Sequence, residues 1–368
     1  MRELSAIELK VVVDGMGSVL ANGYVRKFYE LGRDAFRIAF YSNQNNYILY
    51  AKLARVMNLS EFAEEAGEAT QFAVAMRKRI ENAKVLGISQ KGSDRIVIVG
   101  LEAAGKRYNL IIEMFGKGNV VLTDDNSVIE LCYKRLRYAD RAIGPKLKYE
   151  FPRSSSYAFE ELSGEKLMDV AALAAKEDSK MIVALSKYIN IGPLYMEDII
   201  LRTGLNPRER LKEDEIPAIA EELARFFERL KHIEPRAYIE NGKIVDYSIT
   251  EIRKYRSLES KPYDSIDRML DELCMDERGA VEDPRKKQVE EIDANIRKQV
   301  ELSVSMKKDS EDYANTARKI YENMGMINSI IGYFKSRKGV TLQDLRNEFG
   351  NMVKELDLKR KTVKIEVD

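Results

Sequence analysis

The stretch YVRKFYELGRDAFRIAFYSNQNNYILYA (residues 24–51) reads as three short strands. Its aromatic and β-branched residues fall in three runs, 24–29, 35–41 and 47–51. Gly32 and the polar segment Ser42–Asn46 separate them. Runs of this kind, punctuated by turn residues, predict an antiparallel meander. KLARVM (52–57) extends the sheet. Before the meander, Ser5 and Glu8 have the spacing of a capping box. Leu4, Ile7, Val11, Val12, Met16 and Leu20 then follow at helical intervals, and Asn22-Gly23 ends that helix. After it, residues 70–83 form a helix carrying Arg77, Lys78 and Arg79 in a row. Strands follow at 84–90, 95–100, 107–114, 118–124 and 127–133. The first 135 or so residues therefore predict one helix-flanked, mainly antiparallel β domain.

Further along, the character changes. Residues 134–153 are a basic loop, with seven Lys/Arg against two acids. Short helices occupy 158–232, and Ile191-Gly192-Pro193 joins two of them in the manner of a helix–hairpin–helix unit. Strand-like alternation returns at 237–256, with a turn at Asn241-Gly242, and 265–273 is a short helix. From Pro284 a mostly three-and-four apolar spacing runs through Val289, Ile292, Ile296, Val300, Val304, Tyr313, Ala317, Ile320, Met324, Ile327 and Ile331. It predicts one helix to about residue 337, about 80 Å long at 1.5 Å per residue. Lys338-Gly339 breaks it, and 341–355 forms a shorter helix, giving an antiparallel coiled-coil arm. A final strand at 361–367 reads as the start of a further domain in a longer protein. The expected organisation is α+β: a β domain (1–157), a helical domain (158–235), a segment returning to the N-terminal domain (236–283), an arm (284–360) and the start of the next domain (361–368).

Composition closes off much chemistry. The 368 residues carry 61 Lys+Arg and 60 Asp+Glu, so a globally basic coat is excluded while a local basic face is not. With 45% apolar residues the chain has enough material for packed cores. His232 is the sole histidine, with no Ser or Cys motif around it. Cys132 and Cys274 cannot make a Cys/His zinc site, and with no secretion signal they predict reduced thiols in a cytoplasmic protein. No run approaches a membrane span. Neither cofactor nor metal is implied.

Several segments are candidates for contact with nucleic acid. Asp94-Arg95, at a strand start, presents a carboxylate and a guanidinium together; the plainer reading is an exposed ion pair. Arg77, Lys78 and Arg79 point about 100° apart in turn, so they cannot share one face. In the loop, Lys134, Arg135, Arg137, Arg141, Lys146 and Lys148 interleave with Tyr138, Tyr149 and Phe151, a mixture suited to phosphate contact and base stacking. The hairpin at Gly192 and Pro193 is placed to offer backbone amides to a phosphate, although many such helix pairs only pack. Gly116–Asn119 is a strand-to-strand turn, since the eight-residue P-loop frame is missing. No catalytic constellation emerges.

The order of these segments resembles the NFACT family, also called the fibronectin-binding protein A N-terminal family. The resemblance rests on LSAIEL (4–9), LARVMN (53–58), MRKRIENAKVLGISQ (76–90), SDRIV (93–97), EMFGKGNVVLTD (113–124), GPLYMEDIILRTGL (192–205) and YDSIDRMLDE (263–272), which run in family order. It implies an N-terminal domain similar to that of Fpg/MutM-type DNA glycosylases, then a helix–hairpin–helix domain and a coiled-coil arm. It also implies a ribosome quality-control role. Such factors bind a large ribosomal subunit obstructed by peptidyl-tRNA and recruit tRNA for untemplated C-terminal tailing of the stalled chain. Peptidyl transfer belongs to the ribosome, so the factor itself need not be an enzyme. The family's Asp-Arg pair falls on Asp94 and Arg95, and its early acidic residue, usually Asp, falls on Glu8; these are the expected tRNA contacts. Tyr24 stands where Arg is common. The loop cations and Arg77–Arg79 would meet RNA phosphates, and the arm would reach along the subunit or pair with a second copy. Rival readings are an adhesin, a protein–protein scaffold and a DNA glycosylase. The last needs an N-terminal Pro nucleophile, and this chain opens Met1-Arg2-Glu3.

Overall fold

The computed structural model describes residues 2–62, 66–277 and 284–366, in two compact units, Met1–Val281 and Glu282–Asp368. In the first, helix α1 (Ala6–Leu20) is followed by the meander β1 (Tyr24–Gly32), β2 (Ala35–Ser42), β3 (Asn45–Lys52) and β4 (Val56–Ser60). Helix α2 (Gln71–Ile80) is followed by β5 (Lys84–Gln90), β6 (Ile96–Ala103), β7 (Lys106–Glu113), β8 (Asn119–Asp124) and β9 (Ile129–Cys132). All nine strands form one antiparallel sheet, in the order β4-β3-β2-β1-β5-β6-β7-β8-β9. Strand β4 thus extends the meander, after a turn at 53–55 in which Ala54 has φ 56°.

The sheet is two copies of one device. Each copy is a helix, an Asn in the left-handed region (Asn22, φ 63°; Asn82, φ 62°), then a bulged strand opening a meander. The copies meet through reciprocal bonds. Val25 N–H donates to Ala83 O (2.9 Å) and Val85 N–H to Gly23 O (2.8 Å); Asn82 N–H donates to Val25 O (2.7 Å) and Asn22 N–H to Val85 O (3.1 Å). Beyond Tyr24↔Lys84, β1 and β5 have no further paired residues.

Alternation decides the faces. In β2, Phe36, Ile38 and Phe40 are buried in the main core, so Arg37, Ala39 and Tyr41 lie on the opposite face. The main core runs without interruption from Leu4 to Cys274, so the three segments expected between 1 and 283 draw on one apolar cluster. A second, smaller cluster lies on the other face of the second copy. There Ile96, Ile111, Val121 and Ile129 are covered by Ile143 and Tyr149 of the 134–153 segment, which carries the short strands β10 (Leu136–Arg137) and β11 (Ala142–Ile143).

Helices α3 (Gly164–Ala175), α4 (Met181–Tyr188), α5 (Pro193–Arg202) and α6 (Ile216–Arg229) follow. Next come the antiparallel strands β12 (Arg236–Glu240), β13 (Lys243–Ser248) and β14 (Glu259–Pro262), then α7 (Ile266–Glu277). Helix α7 caps the exposed edge of β4: Asp267 accepts from Leu59 N–H (2.8 Å), while Asp271 accepts from Asn58 Nδ2 (2.7 Å) and Glu61 N–H (2.8 Å).

The second unit departs from expectation. The long helix is two, α8 (Pro284–Glu322) and α9 (Met324–Ser336), broken at Asn323. Val289 and Ile292 of the expected stripe lie outside the residues whose side chains are described, as does the boundary at 283. Ile296, Val300, Val304 and Tyr313 are exposed, so among the described residues no antiparallel partner covers α8. The helix expected at 341–355 stops early: α10 spans Leu342–Phe349, and Gly350, at φ 75°, turns the chain into β15 (Val353–Asp357). The final strand, β16 (Thr362–Ile365), pairs with β15 rather than opening a separate sheet, while residues 367–368 of that expected strand are outside the description. Ile330, Val340, Leu345 and Val353 form this unit's own core.

Candidate nucleic-acid interface

Three chain segments distant in sequence meet at the N-terminus of α1. The first is the capping box. Ser5 Oγ accepts from Glu8 N–H (3.3 Å), and Glu8 Oε2 accepts from Ser5 N–H (2.8 Å) and from the Ser5 hydroxyl (2.9 Å). The Arg2 guanidinium holds both Glu8 oxygens, at 2.5 and 2.8 Å, and the Tyr195 hydroxyl donates to Oε1 at 2.6 Å. Arg2 also donates to Asp246 (2.8 Å) and Tyr247 O (2.7 Å) and stacks on the Tyr247 ring, 4.1 Å from its centroid. Burial pulls the Arg2 pKa down, but Glu8 outweighs it and the net shift is upward. Burial, then Glu8, raises the Tyr195 phenol well above its ordinary range. Glu8 is 0% exposed. It is a buried lock joining α1, α5 and β13. The expected contact from Glu8 to RNA is therefore corrected: its carboxylate is fully engaged inside the protein.

The second segment is the turn between β5 and β6. Gln90 Nε2 donates to Ala6 O (3.0 Å) and Asp94 O (2.8 Å), tying the turn to α1. Arg95 donates to Leu4 O (3.2 Å) and to Glu3 Oε2 (2.5 Å). Asp94 and Arg95 are both partly exposed. Burial raises the Asp94 pKa, against the pull of the Ser154 hydroxyl and Lys91. The third segment is the hairpin. Asn190 Nδ2 donates to Ser93 O (2.9 Å). Gly192 has φ 96°, and a Cβ there would stand 2.6 Å from Ser5 Cβ, so glycine permits the hairpin to close on the helix cap. Of the two hairpin residues, Pro193 is exposed, whereas Gly192 faces the cap.

The expected phosphate-binding cations divide in two. Arg141 is buried: it donates to Glu113 (2.7 Å), which also accepts from the Tyr149 hydroxyl (2.8 Å). Burial lowers the Arg141 pKa while Glu113 raises it, with a net rise. Arg79 pairs with Glu130 (2.7 Å), Lys134 with Asp34 (2.6 Å), and Arg77 donates to Phe28 O (2.7 Å). Arg141 is thereby corrected from phosphate ligand to structural ion pair, and Arg79 and Lys134 face carboxylates. Lys78, Arg135, Arg137, Lys146 and Lys148 are exposed. The loop's aromatics divide likewise: Tyr149 is buried, while Tyr138 and Phe151 are exposed. Lys91 sits over the Phe151 ring, 5.1 Å from its centroid and three residues from Asp94.

The model of the NFACT N-terminal and middle domains matches residues 5–366. The chain belongs to the NFACT family. Among curated relatives, the archaeal Rqc2 homolog aRqcH of Methanocaldococcus jannaschii is 26% identical over 282 residues, covering 73% of this chain and 41% of that protein. The human ribosome quality control complex subunit NEMF is 27% identical over 213 residues, covering 57% of this chain and 20% of NEMF. The chain thus spans well under half the length of these relatives. Among solved structures, the fibrinogen binding protein from Staphylococcus aureus matches with TM-score 0.59 and 21% identity, over 73% of this chain and 97% of that one. The N-terminal part of the fibronectin/fibrinogen-binding protein from Streptococcus suis matches with TM-score 0.60 and 18% identity, over 74% and 99%. These fix the α+β fold. Lactococcus lactis Fpg overlaps at TM-score 0.33 and 10% identity, too slight a likeness to carry a conclusion.

Within this NFACT chain the Asp94-Arg95 turn carries one carboxylate and one guanidinium, and α1 and the hairpin hold it in place. Among the described residues, no group of three His, Cys, Asp or Glu side chains is arranged to hold a metal, and no helix is long and apolar enough to cross a membrane. Sequence reasoning missed Arg2, Tyr195 and Tyr247, which lock the site from behind. A buried-tyrosine network joining residues about 190 and 240 positions apart leaves no local pattern.

Proposed function

We propose that this chain is the RNA-binding N-terminal part of a cytoplasmic ribosome quality-control factor. It acts on a large ribosomal subunit obstructed by peptidyl-tRNA and recruits tRNA for untemplated C-terminal tailing of the stalled nascent chain. The observation that carries the reading is the family match over nearly the whole chain, together with the quality-control names of its relatives. The site supports it physically. Asp94 and Arg95 stand partly exposed on a turn fixed by Gln90, Asn190 and the α1 cap, so their geometry is set before RNA arrives. There they make charge-assisted hydrogen bonds to bases or ribose. Arg135, Arg137, Lys146 and Lys148 supply phosphate contacts, which give affinity that falls with salt. The chain positions RNA, and peptide-bond formation remains the ribosome's.

The test is binding to total tRNA and to a matched DNA duplex across a salt series, for the wild type and Asp94→Ala/Arg95→Ala. Preferential tRNA binding that the double variant loses is expected. Equal binding to both nucleic acids, unchanged in the double variant, would sink the proposal.

A further inference from the structure

The fold brings Phe151 to the Asp94-Arg95 turn. From Phe151 onward the chain runs alongside the turn between β5 and β6 and meets it at three places. The Lys91 ammonium lies 5.1 Å from the Phe151 ring centroid. The Ser154 hydroxyl and Lys91 both stand close enough to the Asp94 carboxylate to favour its charged form. Gly92, at φ 54°, has Ala158 beside it, with the Ala158 Cβ 3.6 Å from where a Cβ on Gly92 would stand. Phe151 is 37% exposed, and Lys91, Arg153 and Ser154 are exposed as well. The Phe151 ring has a fixed backing. It stands at 87° to the buried Tyr149 ring, 5.1 Å between centroids, and the Tyr149 hydroxyl is bonded to Glu113.

We propose that Phe151 is a stacking platform for an unpaired RNA base, whose edge is read by Asp94 and Arg95. The proposal rests on the RNA-binding reading above and names the part of the RNA that this site takes. A phenyl ring offers nothing to a phosphate, and its apolar face suits the flat face of a base. An unpaired nucleotide presents three chemistries at once: an apolar face, a hydrogen-bonding edge and a phosphate. The turn gathers a partner for each. Phe151 takes the face, the Asp94 carboxylate and the Arg95 guanidinium take the edge, and Lys91 with Arg153 takes the phosphate. A base inside a duplex keeps its faces against its neighbours, so paired RNA cannot use the ring. Tyr149 holds the ring in place before RNA arrives, so little freedom is lost on stacking. Stacking itself is tolerant, because every base has a π-face, and discrimination is left to the carboxylate and the guanidinium.

The experiment uses a short RNA of mixed sequence without self-complementarity, alone and annealed to its complement, over a salt series. Wild type, Phe151→Leu and Phe151→Trp are compared, with far-UV circular dichroism on each. Phe151→Leu should keep its fold, bind the unpaired RNA about tenfold more weakly and bind the duplex as the wild type does. Its salt slope should match that of the wild type, because no cation is removed. The chain has no tryptophan, so Phe151→Trp carries a sole indole at the platform. That variant should bind unpaired RNA at least as tightly as the wild type, and its fluorescence should be quenched by the unpaired RNA and not by the duplex. Wild-type affinity of Phe151→Leu for unpaired RNA, or an indole that unpaired RNA leaves unquenched, overturns the platform even if Asp94→Ala/Arg95→Ala abolishes binding. Equal weakening of Phe151→Leu toward both RNAs overturns it too, since a lost stack would spare the duplex. A wild type that binds neither RNA overturns the RNA reading and the platform together.

Discussion

Replacing Glu8 with Gln tests whether the residue is a lock or a ligand contact. The substitution keeps the shape and removes the charge. Glu8 accepts from Arg2 twice, from the Tyr195 hydroxyl, and from Ser5 through both its amide and its hydroxyl. Both carboxylate oxygens accept from Arg2, so the NH₂ of Gln meets a donor at Arg2 in either orientation, and at Ser5 as well in one of them. Hydrogen bonds to a charged group contribute about 1.5–3 kcal/mol each. Breaking a buried pair by changing one partner costs about 3–5 kcal/mol. Arg2 is part-exposed and still reaches Asp246, so the lower end applies, about 3 kcal/mol. The chain has no tryptophan, so urea unfolding is followed by far-UV circular dichroism. The first transition should move to lower urea with its slope unchanged. At a temperature where the variant is fully folded, tRNA affinity should equal that of the wild type. A variant as stable as wild type that has lost tRNA binding would refute the buried-lock reading.

Arg141→Met should destabilise by about 3–5 kcal/mol, because Glu113 is left buried and charged, and Glu113→Gln/Arg141→Met should recover most of the loss; denaturant midpoints measure both. Reversing Arg135, Arg137, Lys146 and Lys148 to Glu should weaken tRNA binding and flatten its salt dependence while leaving stability within about 1 kcal/mol, as equilibrium binding and unfolding together will show. Asp267 is held up at about 6 by burial, so the folded state favours its protonated form. Its contribution is fully present below the unfolded value near 4 and is lost as pH rises through 6. Asp267→Asn should therefore be more stable than wild type at pH 7, by up to about 2–3 kcal/mol, and the difference should vanish toward pH 4 in a pH series of melts. Gly192→Ala should cost about 1–3 kcal/mol through its positive φ and its clash with Ser5, measured by the same unfolding assay.

The strands were legible because alternation and turn residues are local signals; 24–51 and 84–133 carried both. The capping box was legible too, since it needs only Ser5 and Glu8. Its burial was not, because Arg2, Tyr195 and Tyr247 reach it from three separate elements. Counting charge in the 134–153 loop treated seven cations alike. Glu113, on another strand, takes Arg141 into the interior, and nothing beside Arg141 announces it. The approach of Phe151 to the Asp94 turn escaped notice for the converse reason: Lys91 and Phe151 become neighbours only in the fold. In the second unit, the helical spacing of 341–355 outlasted the helix, and Gly350 was the signal that should have ended it.

The reciprocal joint between β1 and β5 has a consequence for ancestry. A single helix-plus-meander half, standing alone, would leave the start of its first strand unsatisfied. The partner that best fits that gap is a second half of the same kind, turned to face it, because each half gives and receives the same backbone bonds. Two identical short chains would therefore close on each other as a symmetric dimer before any linker joined them. A linker between such halves would leave each free to vary on its own outer face, and here one face is roofed with hydrocarbon while the other carries charge.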